Sequence, residues 1–210
     1  MKQYIIVIIL ALCLASCGQH SKHWETLTQV ESFMEERPDS ALAVLQSIEI
    51  GDLSSKEEKG KRALLLSIAL DKNEIRQTDF EILDPAIDYY KENGSSTEQM
   101  LTLFYQGQIH RINSQYAQAL ACFGEAIKID ENSKDIQTKA RIYDAQGGVY
   151  RVLTKWDETI KSKLCAAEYF SKLNNTDSYV SSLLDVFYTY TQNGDSISAG
   201  RYHNKCNDYL

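Results

Sequence analysis

The sequence predicts an all-α protein, a solenoid of helix-turn-helix units repeating about every forty residues. Three observations predict it. Turn-formers are sparse, with two prolines and ten glycines in 210 residues, whereas an all-β chain needs a turn every ~8–12 residues. Apolar residues supply 43% of the chain and charged residues 24%, enough to bury a core. Third, the chain aligns with itself, without gaps, at a step of forty. Residues 103–129, LFYQGQIHRINSQYAQALACFGEAIKI, lie over residues 143–169, YDAQGGVYRVLTKWDETIKSKLCAAEY. Gly107 then meets Gly147, each after a glutamine. His110 meets Tyr150, Tyr116 meets Trp156, Ala119 meets Thr159 and Ala126 meets Ala166. One further step reaches residues 183–209, where Tyr190 follows Tyr150, Ala199 follows Thr159, Cys206 follows Ala166, and Phe187 replaces the glycine. Going backwards, Ser67 falls on Gly107, Leu70 on His110 and Ala86 on Ala126.

The N-terminus reads as an address. Lys2 gives a positive start, and Tyr4 to Ala15 is an apolar run of twelve. A membrane-spanning helix needs ~20 apolar residues. A signal-peptide apolar region needs ~7–15, followed by a small-residue cleavage site. Leu14-Ala15-Ser16-Cys17 stands at that place and resembles the bacterial lipobox. The resemblance implies signal-peptidase recognition of Leu14, Ala15 and Ser16, cleavage before Cys17, and a lipid on Cys17. Each buried methylene contributes ~0.8 kcal/mol and stable anchoring takes two signals, which a multiply acylated cysteine supplies. The competing reading is a buried N-terminal helix with an incidental Cys17. The expected organisation is therefore a signal peptide over 1–16, a lipidated cysteine and tether over 17–22, and a repeat domain of about five repeats over 23–210.

Gly18 to Lys22 carries no acidic cluster. Gly18 is also not the aspartate associated with inner-membrane retention in enteric bacteria, so the expected location is the outer membrane, facing the periplasm. Cys13 leaves with the signal peptide. Cys122, Cys165 and Cys206 remain, an odd number that argues against a disulfide framework. They read as small buried residues, with one disulfide as the alternative.

Downstream, RPDSALAVLQSI (37–48) reads as the second helix of a degenerate first unit, capped by Asp39 or Ser40, with Ala41, Leu45 and Ile48 facing the core. The period then predicts a helix over roughly 76–92. Pro85 interrupts it: either the helix kinks there or Asp84 starts a fresh helix with Pro85 in its first turn. In each later unit a first helix ends at a short turn, Asn113-Ser114 or Asn193-Gly194-Asp195, and a second helix follows. Ala119, Phe123 and Ala126 are four and three apart and so share one face. Gly107 and Ala119 let the two helices of a hairpin approach closely, and Ala126 lets the next hairpin stack. A lone hairpin cannot bury its apolar face, so neighbours must cover it.

These residues resemble the tetratricopeptide repeat. Its pattern of a small residue and then an aromatic on the first helix, and alanine, aromatic, alanine on the second, is met by Gly107, Ala119, Phe123 and Ala126, with His110 at the first aromatic position. The following unit matches through Gly147, Tyr150 and Ala166, with Lys163 where the second aromatic belongs. Tyr190 and Ala199 continue the pattern. The family's period is 34, so forty implies longer helices or linkers. Together with RALLLSIALDKN and AIDYYKENG, the chain is similar to tetratricopeptide lipoproteins and regulators of Bacteroidetes-type bacteria. The resemblance implies a right-handed superhelix whose first helices line a concave groove. The groove would show Phe104, Gln108 and Arg111, then Arg141, Asp144 and Arg151, then Tyr188. It implies a protein or peptide partner, the arginines holding carboxylates; the alternative is that they pair with neighbouring acids. Other readings under the same resemblance are the sensor region of a truncated signalling protein and a glycan-binding outer-membrane lipoprotein.

Composition narrows the classes further. Net charge is −7, and loss of Lys2 with the signal peptide makes it −8. That speaks against nucleic acid, which rewards basic patches. No G-x-S-x-G, H-E-x-x-H or phosphate-binding glycine loop occurs, so no enzyme, cofactor or metal site is expected. His20 and His23 lie in or beside the tether without further ligands nearby. His110 and His203 read as packing histidines. Glu35-Glu36 and Glu57-Glu58 read as solvated faces.

Overall fold

The computed structural model describes residues 22–129 and 135–209, so the lipobox at 14–17 and nearly all of the tether lie outside the described residues. The described residues form ten α-helices and one short 3-10 turn, with no strand among them. In chain order the helices are α1 (Lys22–Phe33), α2 (Pro38–Ser47), α3 (Lys56–Lys72), α4 (Asp84–Asn93), α5 (Ser96–Ile112), α6 (Tyr116–Ile129), α7 (Ile136–Val152), α8 (Trp156–Lys172), α9 (Thr176–Gln192) and α10 (Ser196–Asn207). They fall into two compact units, with the boundary between Ile75 and Arg76.

The forty-residue period is visible in the helix ends. Helices α3, α5, α7 and α9 start forty residues apart and each is 17 residues long. Their N-caps, Ser55, Ser95, Asp135 and Asn175, repeat at the same step. Each side-chain oxygen accepts a backbone N–H three residues on, from Glu58, Glu98, Thr138 and Ser178, which satisfies one of the donors a helix start leaves open. At the other end, Glu74, Ser114, Thr154 and Gly194 adopt a left-handed backbone with φ of 59°, 59°, 56° and 80°. The next N–H then reaches back to the fifth carbonyl before it: Ile75 to Leu70, Gln115 to His110, Lys155 to Tyr150 and Asp195 to Tyr190. This closes the helix C-terminus and reverses the chain. Longer helices account for the period. From Ile136 to Asn175, two 17-residue helices and two three-residue turns make one unit.

In the first unit α1, α2 and α3 pack pairwise around Leu27, Val30, Ala41, Leu45 and Ile48, each at most 6% exposed. The α2 helix begins at Pro38, with Arg37 as a cap that makes no side-chain bond. Neither Asp39 nor Ser40 caps it, because the fixed φ of proline suits the first helical position. Glu58 also departs from expectation. It is buried, and its carboxylate accepts from the Ser54 N–H and hydroxyl, both at 2.7 Å, while its own N–H donates to Ser55. It closes the start of α3 instead of facing water. Asn73 ties the end of α3 to α2 by donating to the Pro38 carbonyl at 2.9 Å.

In the second unit the predicted helix over 76–92 forms only from Asp84, with Pro85 in its first turn and Leu83 as cap; residues 74–80 carry no helix. The missing N–H of proline disrupts a helix that would run through it, and costs nothing at a helix start. The following pairs α5/α6, α7/α8 and α9/α10 are closely packed hairpins, and α8 packs on α9 just as closely to join successive hairpins. Ala119, Phe123, Ala126, Val149, Ala166 and Val186 are fully buried between them. Equivalent positions on the outward side differ in polarity. Leu164 and Ala167 of α8 are covered by later helices, whereas their α10 counterparts, Asn204 and Asn207, are exposed. Among the described residues, no helix is long and apolar enough to cross a membrane.

Candidate functional site

The repeat-packing residues set the spacing of the second unit. Gly107 of α5 lies under the Phe123 ring: a Cβ there would meet Phe123 Cε1 at 2.5 Å, closer than side-chain atoms approach. Gly147 holds the same relation to Lys163, whose Cγ, Cε and Cδ would stand 2.9–3.1 Å from an added Cβ. The aromatic position is thus filled by the aliphatic stem of a lysine, 4% exposed. Its ammonium ends between two carboxylates, 2.6 Å from Asp144 Oδ1 on α7 and 2.6 Å from Asp185 Oδ2 on α9. In the last hairpin the sizes are exchanged: Phe187 takes the glycine position and His203 the aromatic one, with ring centroids 5.4 Å apart. Among the other packing residues, Ala199 is 5% exposed, while Tyr150 and Tyr190 are half-buried on the far side of the first helices.

The face of α5, α7 and α9 expected to line a groove holds a chain of paired groups. Phe104 is 1% exposed and belongs to the core, so it offers nothing to a ligand directly. It serves instead as a platform: Arg141 Cζ lies 4.5 Å from its ring centroid, and the guanidinium donates to the Tyr105 hydroxyl at 3.3 and 3.4 Å. Asp144 is engaged by Lys163. Asp185 bridges Lys163 and Arg151, whose Nη1 lies 3.6 Å away. Arg111 donates from Nε to Gln108 at 2.8 Å. Gln108 and Gly148 are half-exposed, and Tyr188 is 53% exposed with its ring against Phe187. Arg111 and Arg151 occupy the same register position one repeat apart, and both residues are exposed.

Lys163 and Asp185 underlie this face, and the repeat pattern does not assign them a role there. A lysine at an aromatic position is itself a signal, because a buried ammonium needs counter-charges. Its second partner, forty residues beyond Ala145, follows only from packing α9 onto α8. Of the two histidines expected to pack, His110 is half-buried, its Nδ1 2.6 Å from Gln115 Oε1 and its ring near Phe80, whereas His203 is exposed with its ring against Phe187. Cys122 and Cys206 are buried and Cys165 is half-buried, all as free thiols. Burial, helped by Glu125, pushes the Cys122 thiol up to about 11. Among the described residues no group of three or more His, Cys, Asp or Glu side chains is placed to hold a metal ion.

No family model matches the sequence, and no curated protein matches it. Solved structures match its shape. A putative kinesin light chain of Podosopora anserina with nearly identical TPR-like repeats superposes with a TM-score of 0.63 at 13% identity, over 90% of this chain and 97% of the other. MamA from AMB-1 superposes at 0.61 with 16% identity, over 90% and 98%. BtubC from P. vanneervenii superposes at 0.63 with 16% identity, over 83% and 71%. At such identities the likeness concerns the fold, an all-α tetratricopeptide-like helical repeat.

Proposed function

We propose that the chain is a non-catalytic, lipid-anchored scaffold that holds a protein or peptide partner at the bacterial envelope, tethered by Cys17 to the outer membrane with its repeats facing the periplasm. The observation that carries the binding half is the pair Arg111 and Arg151. Two arginines at one register position of neighbouring first helices, both exposed, offer forked donors to carboxylates about one inter-helix spacing apart, roughly 10 Å. They stand on a chain of net charge −7, so the partner segment is acidic where it meets this face and other anionic proteins are repelled elsewhere. The exposed Tyr188 extends the same face with an aromatic anchor. The anchoring half rests on Leu14-Ala15-Ser16-Cys17 after a twelve-residue apolar run.

Crosslinking in membranes from cells expressing the full-length chain tests both halves. The partner recovered with the wild type is expected to fall about tenfold or more with the double variant Arg111→Glu/Arg151→Glu; undiminished recovery would remove the arginines from the interface. Cys17→Ala is expected to abolish lipid labelling and release the chain from the membrane fraction. A variant that stays labelled and membrane-bound sinks the anchor.

A further inference from the structure

Opposite the arginine-bearing face, α7 and α8 leave a cavity of about 270 Å³ lined by Tyr143, Gln146, Tyr150, Glu158, Lys161, Ser162 and Cys165. At about 100° per residue, residues 143, 146 and 150 form a different strip of α7 from Arg141, Asp144 and Arg151, with the centres of the two strips about 140° apart. The cavity is therefore separate from the face described above.

The next hairpin shows what completes such a seam. Forty residues on, Ser162 is replaced by Tyr202 and Tyr150 by Tyr190. There the two rings stack, with centroids 5.6 Å apart and planes 17° from parallel. In the α7/α8 hairpin the platform Tyr150 is retained, but the ring that would lie on it is cut back to a hydroxymethyl, whose oxygen bonds to Gln146 at 3.2 Å. A second tyrosine, Tyr143, walls the cavity and is held from behind by stacking on Tyr169 at 5.8 Å. The side chains of Glu158 and Lys161 make no ion pair or hydrogen bond with the described residues, and Gln146 adds an amide. Two tyrosine walls with an acid, an amine and an amide around them suit a ring that carries one polar group.

We propose that this seam is a binding site for a tyrosine-like side chain of a partner protein, whose ring stacks on Tyr150 in the place Tyr202 occupies in the next hairpin. The occupant is a phenol by the same chemistry: a flat π-face for Tyr150 and a hydroxyl within reach of the polar rim. An aromatic anchor in a preformed seam is the usual form of an interface hot spot, and here the template for its pose lies within the same chain.

Cys165 at the cavity wall reports occupancy. The probe is p-cresol, the tyrosine side chain without its backbone, added to the intact protein while alkylation by a maleimide at about pH 8.5 is followed on the Cys165 peptide by mass spectrometry. A ligand of this size binds in the millimolar range at best, so about 10 mM p-cresol is expected to slow Cys165 labelling about threefold or more. Ser162→Tyr supplies the ring in cis. It is expected to slow labelling without added phenol and to remove the further effect of p-cresol; Ser162→Phe serves should the tyrosine variant fail to fold. Tyr150→Ala takes away the platform and should lose the protection. The inference is overturned if p-cresol leaves the wild-type rate unchanged, if it protects the Ser162 variants equally, or if 4-methylcyclohexanol, similar in shape but without a π-face, protects as well.

Discussion

The hairpins α5/α6 and α7/α8 have the same backbone and different locks. Both bring their helices together over a glycine, Gly107 or Gly147, that an added Cβ would spoil. In α5/α6 the covering group is the Phe123 ring, fully buried among apolar side chains. In α7/α8 it is the Lys163 stem, and the charge at its end gathers Asp144 and Asp185 from two further helices. Close approach needs only a flat or slender apolar group above the glycine. What stands at the tip of that group is free to vary, and in the second hairpin it ties three helices together through ions. The difference lies in where the stability comes from: area removed from water in one, a buried ammonium held by two partly exposed carboxylates in the other.

The comparison breaks most sharply at the two covering residues. Phe123→Ala should cost about 3–5 kcal/mol, the lost transfer energy and a cavity together. Lys163→Ala should cost about 3 kcal/mol, because it removes the stem and leaves two partly buried carboxylates facing each other. Lys163→Met keeps the stem and separates the two contributions. Urea denaturation measures all three, and a Lys163→Ala cost no greater than that of an ordinary surface change would show the triad to be idle.

The adjacent glycines of α7 sharpen it next. Gly147→Ala forces a Cβ against a stem anchored at its far end and should cost about 1–2 kcal/mol. Gly148→Ala meets nothing within 4 Å and should gain up to ~1 kcal/mol from helix propensity. Opposite signs at neighbouring positions are the expected result of thermal melts, and equal signs would refute the close-approach account.

Alkali tests the α5/α6 hairpin through its buried thiol. The folded Cys122 thiol is raised from its ordinary 9.0 to about 11 by burial, then by Glu125. The unfolded chain therefore loses that proton first, and stability from this group is present below about pH 9 and is lost as pH rises towards 11. Cys122→Ala should flatten that part of the stability curve measured between pH 8 and 11. Smallest is the turn of α7/α8, where Thr154, β-branched, sits at φ 56° in the place Gly194 fills in the last hairpin. Thr154→Gly relieves that strain and should raise stability by about 0.5–1 kcal/mol, the added freedom of the unfolded chain offsetting part of the gain. A loss on melting would mean the Thr154 side chain contributes more than its backbone costs.

Much of this molecule is written in local pattern. Helices, caps and turns recur at forty because each depends on residues within a few positions: Ser95 with Glu98, Asp135 with Thr138, Gly194 after Asn193. The all-α class and the closeness of Gly107 to Phe123 follow from the same short-range spacing. Other features depend on atoms brought from far along the chain. That Phe104 is a buried platform under Arg141 and not a groove surface was decided by the packing of α5 against α7. The ion triad exists only where α7, α8 and α9 meet, and the Tyr150 seam is open only because Ser162 arrives where Tyr202 stands one repeat later. The sequence alone settles what hydrogen bonds and hydrophobic periodicity settle within a few turns of helix. Which side chain is left over for a partner is a sum over neighbours hundreds of atoms apart, and only the tertiary structure performs it.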